Sequence, residues 1–165
     1  MKKRAHLIDI NIKRGLTFGY TRSWLKNIIN TVLDAEKTGG SVCVDMLITD
    51  DKQIHKMNRQ YRGIDRPTDV LSFALSEKSP AAADIEFPLE QDGVDNLGEI
   101  IISYPRVIAQ ADEHNVSIED ELTLLITHGM LHLLGYDHKE AADSRKMRRR
   151  EKIIIAVIDR LREQK

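Results

Sequence analysis

Along the chain, stretches of alternating apolar and polar residues are interleaved with stretches whose apolar residues recur every three or four positions, the patterns of strands and helices. Ala5 to Lys13 sets Leu7, Ile8, Ile10 and Ile12 among polar residues and predicts a strand closing near Gly15. Thr21 to Lys37 carries Trp24, Leu25, Ile28, Ile29, Val32 and Leu33 at helical spacing, ended by Thr38-Gly39-Gly40. Val42 to Thr49 alternates again as a strand. Asp50, with Gln53 three residues on, resembles a capping box for a helix bearing Ile54, Met57 and Tyr61. After a turn over Gly63 to Pro67, Val70 to Leu75 reads as a short strand. Ser76 to Asn96 is an acidic connection with Pro80 and Pro88, a surface loop or irregular hairpin with no assigned role. Leu97 to Ser103 is β-branched and predicts a strand. Ser103 is placed to cap a helix with Pro105 in its first turn, running to about Asn115 with Val107, Ile108 and Ala111 inward.

The helix that begins at Ser117 is apolar nearly all round, from Leu122 and Leu124 to Leu133 and Leu134, and is therefore expected to be buried at the centre of the fold. A last helix, from about Glu140 to Arg162, sets Met147, Ile154, Ile158 and Leu161 on one face. Lys139 to Lys152 holds seven basic residues against three acidic ones. That run is either a solvated face or a stripe able to steer RNA, and the pattern supports both equally.

The central helix also carries the candidate chemistry. Thr127 to His138 reads THGMLHLLGYDH and holds three of the six histidines in an H-x3-H-x5-H spacing. Residues four apart share one helix face, so His128 and His132 project together. Gly135 stands where a helix ending just past His132 needs a left-handed residue, which lets the chain turn back and bring His138 to the same point. Three imidazoles that leave a position open for water suit a catalytic metal. The spacing repeats the zinc-peptidase pattern H-E-x-x-H-x-x-G-x-x-H except that Gly129 replaces the glutamate general base. Peptidase chemistry is thereby demoted. Neutral ligands leave the charge of a divalent ion uncompensated, which favours an anionic substrate such as a phosphodiester. Asp137 is either a carboxylate that orients a ligand histidine or an ordinary turn aspartate. His6, His55 and His114 lack spacing partners and are expected at the surface or in caps. Arg59 and Arg62 lie three apart at the end of their helix, either solvated or placed to meet a phosphate.

Bulk composition narrows the class further. The 165 residues suffice for one domain spanning 1–165 with a full core. A net charge of −1 gives no global attraction for a polyanion, so any nucleic-acid contact must come from a local patch. The single cysteine, Cys43, excludes an intramolecular disulfide, is expected to be buried and fits a reducing compartment. The basic Met1 to Arg4 leads into an alternating segment rather than a hydrophobic core of a signal, and no apolar run is long enough to span a membrane. A cytoplasmic location is expected.

Taken together, NRQYRGIDRPTDVLSF over 58–73, LGEIIIS over 97–103 and HGMLHLLGYDH over 128–138 resemble the YbeY family of metal-dependent endoribonucleases. The resemblance implies an α+β fold with a mixed, mostly parallel four-stranded sheet and helices packed around a central metal-bearing helix. It implies cleavage of single-stranded RNA in ribosomal RNA maturation, notably at the 3′ end of the small-subunit RNA, and in ribosome quality control. It implies His128, His132 and His138 as ligands of one zinc ion or another divalent transition metal, Arg59 as a residue important for activity, and ribosomal RNA, the small subunit and its associated factors as partners. Three other readings stand beside it: a metal-dependent hydrolase of another substrate, such as a degenerate zinc peptidase; a ribosome-assembly factor with a structural metal; and a simple RNA-binding module, which would leave the buried histidines unexplained.

Overall fold

The computed structural model describes residues 5–75 and 93–165. The element order is β1 (Leu7–Ile12), α1 (Arg22–Ala35), β2 (Ser41–Thr49), α2 (Asp51–Arg62), β3 (Val70–Ala74), β4 (Val94–Ser103), α3 (Tyr104–Glu113), α4 (Ile118–Leu133) and α5 (Ala141–Glu163). The fold is α+β. Its four-stranded sheet has the order β1-β2-β4-β3, in which β1, β2 and β4 run parallel and β3 pairs antiparallel with β4.

The alternation seen in the sequence assigns the two faces of this sheet. Ile8, Ile10, Val44, Met46, Ile48, Ile100 and Ile102 join the main core with the buried faces of α1, α4 and α5. Leu71, Phe73 and Ile101 point the other way and pack under Ile54 of α2, with Leu47, Met57 and Tyr61 beside them. Helix α4 packs against β3, β4, α1, α3 and α5, and its Leu122, Ile126, Met130 and Leu131 are fully buried. It is the central helix that its all-round apolar character demands.

Capping chemistry fixes the ends of the helices. Thr21, Asp50 and Ser117 each accept a hydrogen bond from the backbone N–H three residues on, so orphan donors of α1, α2 and α4 are satisfied. Ser103 stands at the N-cap of α3 without that bond, because its hydroxyl instead donates to Asp51 at 2.6 Å. Several expectations are corrected. Ile108 is exposed on α3 while Val107 and Ala111 point inward, and Leu161 is exposed on α5. Cys43 is half-buried, because it lies on the sheet face away from the main core. Strand β4 begins at Val94, three residues inside the stretch read as a loop, where Val94, Asp95 and Asn96 pair with the start of β2. The rest of that loop, 76–92, lies outside the described residues.

Candidate metal centre

Helix α4 ends at Leu133, and the next turn reverses the chain as the glycine requires. Gly135 has φ of +98°, a backbone region that costs a side-chain-bearing residue dearly, and its N–H donates to the His132 carbonyl. Tyr136 N–H closes back onto the Leu131 carbonyl. At the following residues Asp137 accepts from the N–H groups of His138 and Lys139, so it is the turn aspartate of the two readings. This bend brings His138 back to the helix. One ligand nitrogen from each of His128, His132 and His138 lies within 4.8 Å of the other two. The His132 ring stands 4.6 Å from that of His128 and 4.9 Å from that of His138, centre to centre.

The outer nitrogens of the two helical histidines are already committed. His128 Nδ1 lies 2.5 Å from a carboxylate oxygen of Glu151, a buried residue of α5. His132 Nδ1 lies 3.0 Å from the Tyr136 carbonyl. Both partners accept, so in the neutral imidazoles both Nδ1 atoms carry the proton and both Nε2 atoms carry the lone pair. Those two Nε2 atoms face each other at 3.1 Å. Two lone pairs so close repel, whereas nitrogens about 2.05 Å from one tetrahedral ion sit about 3.3 Å apart. The donor set therefore fits a divalent metal, held by imidazoles whose outer shell, a carboxylate and a carbonyl, is the usual one for metal-ligating histidine. Among the described residues no further histidine, cysteine or carboxylate joins the three, which leaves a coordination position for a water or a substrate oxygen.

A second layer ties the bend to two helices. Tyr136 donates its hydroxyl to Glu36 at the C-cap of α1, at 2.7 Å, and Arg150 of α5 donates to the same carboxylate at 2.8 Å. The Lys146 ammonium stands 5.6 Å from the centre of the Tyr136 ring. The segment bearing His138 and the Tyr136 carbonyl is thus held from both sides.

On the sheet side, Gly129 lies over the Ser72–Ile100 pair of β3 and β4. A Cβ there would stand 3.1 and 3.2 Å from Ile100 and 3.2 Å from the Ser72 hydroxyl. A side chain at the position of the peptidase glutamate would therefore press on Ile100 and Ser72, which would have to give by a few tenths of an ångström. Ser72 also presents its carbonyl to Arg62, whose guanidinium donates to it at 2.7 Å. The end of α2 is thereby bound to the strand that α4 covers. Arg59, one turn earlier, is exposed, and its charge helps hold the Asp65 carboxyl below the usual range, after the larger effect of the His55 hydrogen bond.

The three histidines singled out by spacing are thus brought together, and no described contact joins Arg59 to them. His55 pairs with Asp65, His114 caps α3 and bonds the buried Glu121, and His6 accepts from Val42 N–H, as expected of histidines without a spacing partner. Sequence reasoning missed Glu151, although a signal existed: it lies four residues after Met147 and three before Ile154, an acid on an otherwise apolar stripe. Nothing local marks the Tyr136 carbonyl or Glu36.

Comparison with known proteins agrees with this geometry. The family model described as Endoribonuclease YbeY matches residues 9–159. The chain is 44% identical over 151 residues to the Endoribonuclease YbeY of Desulfitobacterium hafniense, covering 91% of this chain and 90% of that one. It is 39% identical to the protein of the same name from a Roseiflexus species, covering 99% and 100%. Among solved structures, the solution structure of TM1509 from Thermotoga maritima superposes with a TM-score of 0.60 at 31% identity, covering 96% of this chain and 93% of that one.

Proposed function

The chain belongs to the YbeY family, and on that premise we propose that it is a metal-dependent endoribonuclease of single-stranded RNA, acting on ribosomal RNA during maturation of the small subunit and in ribosome quality control. The observation that carries the reading is the pair of imidazole Nε2 atoms 3.1 Å apart, each turned inward by a partner on its Nδ1, with His138 folded back to complete the set. His128, His132 and His138 hold one divalent ion. Zinc suits three imidazoles with an open position, and another divalent transition metal is the alternative. An ion so held supplies Lewis acidity and makes water a usable nucleophile near neutral pH.

The protein's own residues do the rest. Glu151 fixes the orientation of the His128 ring, and the Tyr136 carbonyl does the same for His132. Gly129 offers no carboxylate, so no side chain at that position takes a proton from water or returns one to a leaving amine. This favours a phosphodiester over a peptide. The exposed guanidinium of Arg59 binds the non-bridging oxygens of the scissile phosphate and offsets the charge that builds there. Replacing Arg59 with alanine is expected to lower cleavage by roughly 10²-fold while leaving metal binding intact, which metal content and single-turnover assays together would check.

Residues 1–165 act as one unit in this reading, in the cytoplasm, with the small ribosomal subunit and its associated factors as partners. No helix of the described residues is long and apolar enough to cross a membrane. A structural metal in an assembly factor is disfavoured because such sites close with four protein ligands. The deciding experiment incubates purified protein with single-stranded and duplex RNA, with chelator and after metal is restored. Cleavage of the single strand alone, lost to chelator and regained with metal, is expected. A metal-loaded protein that binds RNA and never cuts it would favour the assembly factor. The ends left behind separate two routes, since a 2′,3′-cyclic phosphate requires attack by the RNA's own 2′-hydroxyl.

A further inference from the structure

The basic run in α5, left open between a solvated face and an RNA stripe, takes a definite form in three dimensions. Met147, Glu151, Ile154 and Ile158 are the buried residues of this helix and define its inward direction. Arg145, Arg148, Arg149 and Lys152 follow the i, i+3, i+4, i+7 pattern and lie about 90° to 190° away from that direction, forming one exposed ridge roughly 10 Å long.

Two other arginines of α5 are neutralised, while Lys146 stands by the Tyr136 ring and Arg160 donates to the Ala156 carbonyl. Arg150 is paired with Glu36, and Arg162 with Asp159, Asp120 and Glu119. By contrast, among the described residues none of the four ridge cations forms an ion pair, and Arg148 reaches only the uncharged Ser144 hydroxyl. Like charges three and four residues apart destabilise a helix. Four neighbouring like charges without a described counter-charge form a surface matched to a polyanion.

The place of the ridge says which polyanion. Arg148 precedes Glu151 by one turn and Lys152 follows it directly, and Glu151 is the residue bonded to His128. We infer that Arg145, Arg148, Arg149 and Lys152 form the track along which the single-stranded RNA flanking the cleaved bond lies against α5. This rests on the reading of the chain as an endoribonuclease. Three of the four are arginines, whose planar groups both fork onto phosphates and stack on unpaired bases. An acidic protein segment would match the charge equally, but the ridge is carried by the helix whose inward face bonds a histidine of a site whose substrate is itself a polyanion.

The test measures binding of a labelled single-stranded 2′-O-methyl RNA to the full chain by fluorescence anisotropy across a salt series, with the RNA checked for integrity. Each phosphate contact on a single strand contributes about 0.7 to the slope of log affinity against log salt. The R145Q/R149Q variant should therefore show a slope shallower by about 1.4 and, near 0.1 M salt, affinity lower by about 25-fold. A control, R14Q/K26Q, removes equal charge from exposed positions elsewhere and should keep the wild-type slope. Relief of repulsion should leave the melting temperature of R145Q/R149Q at or above that of the wild type, so a lost affinity is not misfolding. Unchanged slope and affinity in R145Q/R149Q, or equal loss in the control, would overturn the inference and return the ridge to a solvated face or an acidic partner. Failure of the wild type to cleave any RNA, with the slope difference intact, would overturn the endoribonuclease reading and leave the track standing.

Discussion

Gly129 carries the difference between this site and a peptidase in the smallest possible space. Its lack of a side chain lets α4 settle onto Ser72 and Ile100, so the loss of a general base and the close packing of helix on sheet are one fact. The spacing of the histidines made the metal set legible, because a helix and a glycine bend leave little freedom in where three side chains can go. Glu151 was harder to find, because its role depends on how α5 crosses α4, which no local pattern encodes. The Glu151→Gln variant keeps the shape of the residue and removes its charge. Its metal affinity, measured by competition with a chelator, should fall by about 10- to 100-fold. An unchanged affinity would mean that the carboxylate does not tune His128.

Among the elements, the strands and helices followed their periodicity closely, and the departures have physical causes. Alternation is consistent with the inward Ile8, Ile10, Val44 and Met46, while Leu7, which the apolar pattern of the first strand does not separate from Ile8, is exposed. Ile108 and Leu161 were misplaced because each sits near the edge of its apolar stripe, where a small rotation of the helix decides between core and solvent. Strand β4 began early because pairing with β2 extends past the β-branched run that announced it. The bend after α4 depends on Gly135. A Cβ at φ +98° costs about 1–2 kcal/mol, so Gly135→Ala should lower the unfolding free energy by about that amount in denaturant titration. It should also weaken metal binding more than a helix-surface Gly→Ala change does, because His138 lies beyond the bend.

At the level of the whole molecule, the sheet separates two environments. One face is the apolar core beneath α4, and the other sets Asp9, Asp45 and Glu99 side by side across β1, β2 and β4. Burial pushes the Glu99 carboxyl above its usual range, and the neighbouring Asp45 adds to the shift. A carboxyl raised in the folded state holds more protons there than in the unfolded chain, so stability falls as pH rises from the ordinary glutamate value, about 4.3, through the raised one. The Glu99→Gln variant should accordingly be more stable than the wild type at neutral pH, with the gain shrinking as pH falls toward 4 in paired thermal melts. Equal stability at both pH values would contradict this.

The fold, the buried central helix and the glycine bend converge on one claim, that three imidazoles hold an ion on which RNA cleavage depends. The most direct test compares RNA cleavage by the wild type and by His128→Ala, each with its bound metal quantified. The account predicts about one divalent ion per wild-type chain, and for the variant a loss of both the ion and the cleavage with the fold retained. Cleavage by His128→Ala at the wild-type rate would contradict it.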